Sequence, residues 1–458
     1  MKLSAQVLAQ ALGWHAIGEA LMHSVGTDSR AIVPGQCFVA LRGERFDGHD
    51  YVGAAFEQGA TVALVDHAWW QAQSAPASGA LLVVPDTRLA LGQFASWWRA
   101  QFNLPVIGIT GSNGKTSVKE MCAAILRQAF GPEAVLATPG NLNNDIGLPL
   151  TLLSLRAQHR AAVVEMGMNH PGEIAYLTRL ACPSVALVNN AQRAHLEGMG
   201  DLKAVAQEKG RIFEGLLNDG VAIWNADDAF ASLWAIQAGA RQHLSFGLEH
   251  GDVRVCSQLS DEKVALTLVA QGEQLPFSLS APGQHNLRNA AGAAAACLAA
   301  GVAVQTVVQG LSAYAGVKGR LQKFAGQGGA WVLDDTYNAN PDSMRAGIDV
   351  LSQTMGTKIF VMGDMGEVGQ TSAQLHDEIG GYAKSCGVDQ LFALGAMSAV
   401  AAHNFGEGGQ HFSDEKALVK ALLPHMKANT TVLVKGSRFM RMERVVQLIT
   451  AGAQPGEG

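Results

Sequence analysis

The stretch Gly108-Ile-Thr-Gly-Ser-Asn-Gly-Lys-Thr116 decides the fold. The apolar run Pro105–Ile109 predicts a buried strand, and Lys115–Ala129 follows with apolar side chains at helical spacing. A glycine-rich turn between a strand and a helix N-terminus points backbone N–H groups at one place, where phosphate can bind. The stretch, called the phosphate loop below, therefore predicts an ATP or GTP site, with Lys115 as a mobile cation and the Thr116 hydroxyl as a magnesium ligand.

One position of the phosphate loop departs from the usual pattern for such loops. That pattern has its first glycine at the place of Ile109, and this chain has glycines at 108 and 111 instead. An accidental glycine-rich turn is therefore the alternative interpretation. The preceding strand and the following helix favour a phosphate site, because both are needed to build one.

Length and composition indicate a globular protein of several domains. A chain of 458 residues is too long for one core, and such a length predicts about three domains. Hydrophobic residues make up 48% of the chain and charged residues 16%, which excludes a disordered protein. The net charge of −6 provides no basic surface, so we expect no nucleic-acid partner.

The cysteines and the apolar segments favour a cytoplasmic protein. The six cysteines lack the spacing of metal sites or redox pairs, which predicts free thiols in a reducing compartment. Gln6, Gln10 and His15 interrupt the first apolar segment, so it predicts an amphipathic helix rather than an export signal. The alanine-rich run within Ala290–Val304 is too short for a membrane span and predicts a core helix, so we expect no membrane insertion.

Alternating strands and helices predict an α/β fold with an N-terminal unit (1–84), a central unit (85–312) and a C-terminal unit (313–458). Apolar strands between helices are typical of mostly parallel sheets covered on both faces. Gln71–Gly79 is predicted to be a loop and Gly452–Gly458 a disordered tail. The other predicted strands are Gln36–Leu41, Thr61–Val65, Ala161–Met166, Ser184–Asn189, Val221–Trp224, Ala330–Leu333, Lys358–Met362, Gln390–Leu394 and Thr431–Val434. Helices are predicted near Tyr51–Gln58, at Gly172–Cys182 and Leu202–Leu217, and from Asn340-Pro341 onward.

Polar residues at strand ends are the candidates for chemistry, because ligands of open parallel sheets collect at the carboxyl ends of strands. Glu165 ends a strand and is a candidate magnesium ligand, with a capping or surface glutamate as the alternative. His195 follows the next strand, although a lone histidine in a loop is more often structural than catalytic. Lys209 lies on a predicted helix and, by sequence alone, is an ordinary exposed lysine.

Amides and charges gather at two further places in the sequence. The side chains of Asn141, Asn143 and Asn144 would suit a polar substrate, or simply a turn. A phosphate loop in one unit opposite charged strand ends in another predicts an active site in a cleft between domains, which would close on its ligands. The strand-end residues of the C-terminal unit are Asp334, Asp335, Tyr337, Asn338, Asn340, Asp364, Lys435, Ser437 and Arg438, preceded along the chain by His285-Asn286 and Gly319-Arg320.

Taken in order, these segments resemble the Mur ligase family of peptidoglycan synthesis over nearly the whole chain. The resemblance rests on Thr110–Thr116, Glu165, Ala194–Glu197, Gly283–Asn286, Gly319-Arg320 and Asp334–Pro341. Within the family it is greatest to the member that joins D-alanyl-D-alanine to UDP-N-acetylmuramoyl-tripeptide. That finer resemblance rests on Asn141–Pro149, Asp334–Pro341 and Leu433–Arg438, and on Thr27–Arg30, Phe38–Gly43 and Phe46–His49, which are similar to that member's UDP-sugar domain.

The resemblance implies an ATP-dependent ligase that makes an amide through an acyl phosphate, with Mg²⁺ as cofactor. It implies a small N-terminal UDP-sugar domain, a central ATPase domain and a C-terminal Rossmann-like domain, and we expect a monomer. The implied catalytic residues are Lys115, His195 and Lys209, and the implied magnesium ligands are Thr116, Glu165, His195 and a carbamylated Lys209.

The resemblance also implies which residues hold the two larger substrates. The implied ATP-binding residues are Thr110, Gly111, Ser112, Asn113, Gly114, Lys115, Thr116, Ser117, His285, Asn286, Arg320, Asp335, Tyr337 and Asn338. Asp28, Ser29 and Arg30 would bind the UDP end, and Asn141, Asn143 and Asn144 the muramoyl-peptide. Lys435, Ser437 and Arg438, with Asn338, would contact either the dipeptide or the acyl phosphate.

Three alternatives remain open at this stage. One is a related ligase that adds a single amino acid, such as the Mur ligase for the third peptide residue or a folylpolyglutamate synthase. The former carries an Asp-Asn-Pro-Arg motif that this sequence lacks. The others are a phosphate-loop switch or transport ATPase that makes no bond, and a non-catalytic UDP-sugar binding protein. The sequence does not identify the diamino acid at the third position of the peptide.

Overall fold

The computed structural model describes residues 1–73, 78–260 and 263–450. Three α/β units follow one another, and their main sheets lie within the ranges 1–84, 85–312 and 313–458, whose exact limits stay predictions. The predicted tail Gly452–Gly458 lies outside the described residues, as do residues 74–77 of the predicted loop Gln71–Gly79.

The N-terminal unit is built on a small, mostly parallel sheet. Its described elements are β1 (Leu3–Ser4), α1 (Ala5–Leu12), β2 (His15–Ile17), β3 (Leu21–Met22), β4 (Ser24–Gly26), β5 (Gln36–Val39), α2 (Val52–Glu57), β6 (Val62–Asp66), α3 (His67–Gln71) and β7 (Ala80–Val84). The strand order is β2-β7-β6-β5-β4, with β2 antiparallel to its neighbour. The predicted strands at 36–41 and 61–65 and the helix near 51–58 are confirmed to within two residues.

The central unit carries the phosphate loop. Its described elements are α4 (Thr87–Arg99), β8 (Val106–Thr110), α5 (Lys115–Phe130), β9 (Val135–Ala137), α6 (Gly147–Leu153), β10 (Ala161–Glu165), α7 (Glu173–Ala181), β11 (Val185–Val188), α8 (Leu196–Met199), α9 (Leu202–Gly210), β12 (Val221–Asn225), α10 (Ala231–Ala238), β13 (Gln242–Gly247), β14 (Val253–Ser260), β15 (Lys263–Ala270), β16 (Glu273–Phe277), α11 (Gln284–Ala299) and α12 (Val304–Ser312). Among these residues the sheet order is β16-β15-β14-β13-β12-β11-β8-β10-β9.

The register of this sheet brings three strand ends level with the phosphate loop. β8 lies between β10 and β11, all parallel, and every residue of β8 is buried. Glu165 pairs with Ile109 across β10 and β8, and Val188 pairs with Thr110 across β11 and β8. Residues that follow β10 and β11 therefore emerge beside the loop, as the strand-end argument predicts.

Two parts of the central unit differ from the sequence expectation. The helix predicted over Leu202–Leu217 ends at Gly210 and continues as a 3₁₀ turn, Arg211–Gly215. In this turn Arg211 pairs with Glu208 and Glu214 at i±3 spacing, which suits the eclipsed side chains of a 3₁₀ helix. The sheet also contains β9, β13, β14, β15 and β16, none of which the sequence pattern predicts; β15 and β16 are antiparallel to their neighbours.

The C-terminal unit is a second doubly covered sheet. Its described elements are β17 (Gln322–Ala325), β18 (Trp331–Asp335), α13 (Pro341–Ser352), β19 (Thr357–Gly363), α14 (Ser372–Ser385), β20 (Gln390–Leu394), α15 (Ser398–Phe405), β21 (Gly409–Phe412), α16 (Glu415–Leu422), β22 (Thr430–Lys435) and α17 (Glu443–Thr450). The order is β17-β18-β22-β19-β20-β21, parallel except for β17. The predicted start of α13 is confirmed, with Asn340 as the cap and Pro341 as the first residue.

The buried apolar clusters do not correspond one-to-one to the three units. One buried cluster joins the N-terminal and central units, since it contains Val39 and Leu64 together with Leu91 and Val164. The alanine-rich helix α11 is buried in a second cluster of the central unit, which confirms the predicted core helix. Among the described residues, the clusters of the C-terminal sheet begin at Leu321 and include nothing from the central sheet. The first two units therefore share a core, and the third has its own.

Candidate functional site

The phosphate loop is held in shape by amide side chains from neighbouring elements. Gly114 adopts a positive φ of 80° at the start of α5. A Cβ there would clash with the side chains of Asn289 and Asn189, so only glycine fits. Nδ2 of Asn189 donates to the carbonyl of Asn113 at 2.9 Å and to Oδ1 of Asn289 at 2.9 Å. The loop is thus fixed from β11 and α11 at once.

The Thr116 hydroxyl and the Glu165 carboxylate meet beside the loop. Oγ1 of Thr116 donates to Oε2 of Glu165 at 3.0 Å, and both residues are buried. Nδ2 of Asn143 donates to Oε1 of the same carboxylate at 2.7 Å. Hard oxygen atoms of this kind are the ligands that Mg²⁺ prefers. Two predicted magnesium ligands therefore adjoin, and a predicted peptide-binding asparagine is tied to one of them.

Lys115, His195 and Lys209 form an electrostatic cluster next to these oxygens. Nζ of Lys115 donates to the carbonyl of Gly111 at 2.7 Å and to that of Ser112 at 3.3 Å. Burial lowers the pKa of the Lys115 ammonium. Burial also lowers the pKa of His195; the adjacent Glu367 carboxylate opposes this shift, and the charge of Lys115 adds to it.

Lys209 differs most from its sequence interpretation as an exposed lysine. Only 1% of the residue is exposed, because α9 turns this side chain into the protein. Burial lowers the pKa of Lys209 well below its usual value, and the nearby Lys115 charge adds to the effect. The shift favours the unprotonated form of the Lys209 amine, which is its nucleophilic form.

The C-terminal unit closes the site from the opposite side. The guanidinium of Arg320 lies 4.3 Å from the centre of the Tyr337 ring, and its Nη2 is 3.4 Å from Oγ1 of Thr116. Nζ of the buried Lys435 donates to Oδ2 of Asp335 at 2.7 Å and to the carbonyl of Asn338 at 2.9 Å. Burial lowers the pKa of Lys435, and Asp335 partly restores it. Cations from the third unit thus face the phosphate loop.

A cavity of about 950 Å³ lies between these walls. Its volume lies near the upper end of the range for ligand sites, about 300–1,000 Å³. The predicted site residues that line it are Ser112, Asn113, Gly114, Lys115, Thr116, Asn141, Asn143, Asn144, Glu165, His195, Arg320, Tyr337, Asn338 and Lys435.

The other predicted site residues do not line this cavity; they are Thr110, Gly111, Ser117, Lys209, His285, Asn286, Asp335, Ser437, Arg438, Asp28, Ser29 and Arg30. Asp28 and Arg30 pair with each other in the N-terminal unit, and the Arg30 hydrogen bonds hold the pKa of Asp28 at about 2. The Ser437 hydroxyl accepts from the Gly366 N–H at 2.6 Å. Asn286 reaches the phosphate loop indirectly, through Asn289 and Asn189.

Three residues of the site were missed by sequence reasoning. Asn289 lies one helical turn after the predicted Asn286, a spacing that could have suggested it. Glu367 places Oε2 2.7 Å from Nδ1 of His195, with angles outside those of a hydrogen bond. Arg193 contacts two carboxylates that lie 149 and 185 residues further along the chain. Nothing in the local sequence indicates such distant partners.

Comparisons with known proteins assign the family. The family model described as "Mur ligase family, catalytic domain" matches residues 21–99, "Mur ligase middle domain" matches 109–297, and "Mur ligase, glutamate ligase domain" matches 319–438. The UDP-N-acetylmuramoyl-tripeptide–D-alanyl-D-alanine ligase of Haemophilus influenzae is 40% identical over 455 residues, 97% of this chain and 98% of its own. The chain belongs to the Mur ligase family.

Solved structures agree with this Mur ligase in architecture. A crystal structure of MurF from Acinetobacter baumannii has a TM-score of 0.91 and 37% identity, covering 98% of this chain and 99% of its own. The MurF ligase of Thermotoga maritima in complex with ADP has a TM-score of 0.81 and 27% identity, covering 93% and 97%. The predicted family and the predicted three-unit α/β fold are therefore confirmed.

Two further observations bear on this Mur ligase as a whole. All six cysteines are free thiols, as predicted; Cys37, Cys122 and Cys297 are buried. Across the described residues, we find no helix with both the length and the apolarity that a membrane crossing requires.

Proposed function

We propose that this chain joins D-alanyl-D-alanine to the C-terminal carboxylate of UDP-N-acetylmuramoyl-tripeptide, with ATP converted to ADP and phosphate. The observation that carries the proposal is the cavity in which the phosphate loop, the Thr116–Glu165 pair and Lys435 face one another. The relative that carries this activity in its name matches 97% of this chain, which supports the substrate assignment.

The chemistry proceeds through two displacements. A carboxylate is a poor acyl donor, so an oxygen of the tripeptide carboxylate attacks the γ-phosphorus of ATP and ADP leaves. The amine nitrogen of D-alanyl-D-alanine then attacks the acyl carbon, loses a proton, and phosphate departs with the electron pair of the broken C–O bond. Lys115 neutralises charge on the transferring phosphoryl group, and the backbone N–H groups of the phosphate loop hold the neighbouring phosphate.

The donor set near the loop suits magnesium. Thr116 and Glu165 would hold one ion and His195 would help to hold a second, and bound Mg²⁺ would neutralise phosphate oxygens. Within the described ranges no three His, Cys, Asp or Glu side chains come together as a ready metal site. A second ion held by His195 would need a further anionic ligand.

Lys209 fits the role of that missing ligand once it is carbamylated. Its neutral nitrogen would add to CO₂ and lose a proton, which replaces an amine by a carboxylate. The burial that lowers the pKa of Lys209 favours this reaction, because only the unprotonated amine is a nucleophile. The nearby charge of Lys115 would stabilise the resulting anion.

The substrates would span the units. Asp28, Ser29 and Arg30 would bind the UDP end, and Asn141, Asn143 and Asn144 the peptide beside Glu165. Arg320, Tyr337 and Asp335 would contact the nucleotide, with His285 and Asn286 near the adenine. Lys435, Ser437 and Arg438 would contact the dipeptide or the acyl phosphate. We further propose a cytoplasmic monomer, which cell fractionation and sedimentation velocity would test.

One assay separates this function from the alternatives. The pure protein is incubated with ATP, Mg²⁺ and UDP-N-acetylmuramoyl-tripeptide, and either D-alanyl-D-alanine or single amino acids are added. We expect phosphate release and amide formation only when tripeptide and dipeptide are both present. Preference for a single amino acid would favour a related ligase. Phosphate release without an amine would favour a switch or transport ATPase. Ligation undiminished in Lys115→Ala would show that the activity does not come from this phosphate loop, which would favour a non-catalytic binding protein.

A further inference from the structure

The contact between the central and C-terminal units is built from polar side chains. No apolar cluster of the described residues joins the two sheets, whereas the N-terminal and central units share one. Nδ2 of Asn340, at the start of α13, donates to Oδ1 of Asn113 at 2.8 Å, and Nδ2 of Asn113 donates back to Oδ1 of Asn340 at 3.2 Å. The position of the third unit therefore depends on a few directional contacts.

Arg193 makes the most extensive of these contacts. It lies after β11, and its guanidinium reaches two carboxylates of the C-terminal unit. Nε and Nη2 donate to Oδ1 of Asp342 at 3.0 and 2.7 Å, and the backbone N–H donates to Oδ2 at 2.7 Å. Nη1 and Nη2 donate to the two carboxylate oxygens of Glu378 at 2.8 and 3.0 Å. One side chain thus holds the first turn of α13 and the middle of α14.

The surroundings make this network stronger than an ordinary surface ion pair. The side chains of Arg193, Asp342 and Glu378 are only 27%, 23% and 33% exposed. The hydrogen bonds that Arg193 donates to Glu378 and Asp342 raise its pKa above the usual value. Charge-assisted hydrogen bonds between a guanidinium and a carboxylate are roughly twice as strong as neutral hydrogen bonds. An isolated exposed ion pair contributes little net stability, whereas several charges in a network contribute more.

The segment that carries Arg193 also carries two groups of the site. Gln192 accepts from Nδ2 of Asn113 in the phosphate loop at 2.7 Å. His195, two residues after Arg193, lines the cavity. A contact at Arg193 therefore sets the third unit against the same segment that supports the loop and presents the histidine.

We propose that Arg193 is a positioning residue that latches the C-terminal unit over the phosphate loop and so brings Asn338 and Lys435 up to the substrates. The inference rests on the proposed ligase function, because that reaction needs groups from both units at once. The latch raises the population of the closed arrangement before the substrates bind. Its loss therefore weakens apparent substrate affinity, which saturating substrate can restore.

The test compares Arg193→Ala with the matched variant Arg345→Ala. Arg345 also donates to Glu378, at 3.1 Å, and stacks on Tyr382, but all three residues belong to the C-terminal unit. We expect Arg193→Ala to raise the KM for ATP about tenfold with kcat within about twofold, and Arg345→Ala to leave KM unchanged. Arg193→Lys keeps the positive charge but loses the planar guanidinium that contacts both carboxylates. We therefore expect a KM for ATP between those of wild type and Arg193→Ala.

Small-angle X-ray scattering supplies a readout without turnover. With a non-hydrolysable ATP analogue and UDP-N-acetylmuramoyl-tripeptide at subsaturating concentration, we expect a larger radius of gyration for Arg193→Ala than for wild type or Arg345→Ala. Equal radii, a fall in kcat at unchanged KM, or an equal KM shift in Arg345→Ala would each overturn the latch. A wild-type protein without ligase activity would overturn the proposed function instead, and the scattering comparison would still test the latch.

Discussion

Oγ1 of Thr116 donates a 3.0 Å hydrogen bond to Oε2 of Glu165, across the junction of the phosphate loop and β10. The contact follows from the register that pairs Glu165 with Ile109. Because Asn143 donates to the other carboxylate oxygen, both oxygens of Glu165 are oriented before any ion binds. A preoriented carboxylate next to a hydroxyl favours a small, hard cation.

Replacing Glu165 by Gln tests the proposed magnesium site. The amide keeps the shape and can still accept from Thr116, but it loses the negative charge that attracts the ion. We expect the Mg²⁺ concentration for half-maximal phosphate release to rise about 10- to 100-fold, with part of the turnover restored at high Mg²⁺. Glu173→Gln, in the same cavity, is the matched control. An unchanged Mg²⁺ midpoint in Glu165→Gln would contradict the assignment.

Replacing Lys115 by Ala tests the mobile cation of the phosphate loop. Its ammonium is already positioned by the Gly111 and Ser112 carbonyls, so little reorganisation is needed to meet a phosphate. We expect kcat to fall about 10³-fold, the size found for groups that stabilise a transferring phosphoryl. Binding of the UDP-tripeptide, measured by calorimetry, should change little. Lys323→Ala, an exposed lysine over Trp331, serves as the control and should keep full turnover.

Replacing Lys209 by Ala tests the proposed carbamate. The variant removes the nitrogen that would add CO₂, and a small carboxylate such as acetate could occupy the space left. We expect loss of most activity and partial recovery with added acetate, while Lys203→Ala, an exposed lysine on the same helix, stays active. Carbon NMR with labelled bicarbonate should detect a carbamate in wild type but not in Lys209→Ala. Full activity of Lys209→Ala without acetate would rule the role out.

Local sequence carried enough information to predict the phosphate loop and the strands around it. The strand, glycine turn and helix at 105–130 follow from apolar spacing, and the strand-end rule places Glu165 beside the loop because parallel strands start and stop in register. The cap at Asn340 is likewise a local signal. The loop and the cap depend on neighbouring residues alone, and the position of Glu165 needs only the parallel pairing of β8 and β10 in addition.

Burial and distant pairing could not be predicted in the same way. Lys209 looks exposed because its helix has a polar sequence around it, and only the packing of α9 against α7 and α10 buries it. The partners of Arg193 lie on helices of another unit, so their identity depends on how whole domains meet. The antiparallel strands β15 and β16 follow β14 with no helix among the described residues between them, so the alternation of strand and helix does not predict them.

We expect the free energy of unfolding to decrease on acidification because of His285. Burial lowers the pKa of His285 from 6.5 to about 4, and the charges of Lys435 and Arg288 add to this shift. The Asp349 carboxylate opposes it. Below pH 6.5 the unfolded chain binds a proton at this histidine, and the folded protein does so only near pH 4. The unfolded state therefore holds more protons in that window, so the free energy of unfolding decreases as pH falls through it. Urea unfolding at about pH 7 and about pH 5 should show a smaller loss of stability in His285→Gln than in wild type. His403→Gln, at an exposed position on α15, sets the background for the substitution. An identical loss of stability in His285→Gln and wild type would show that this histidine is not the group responsible.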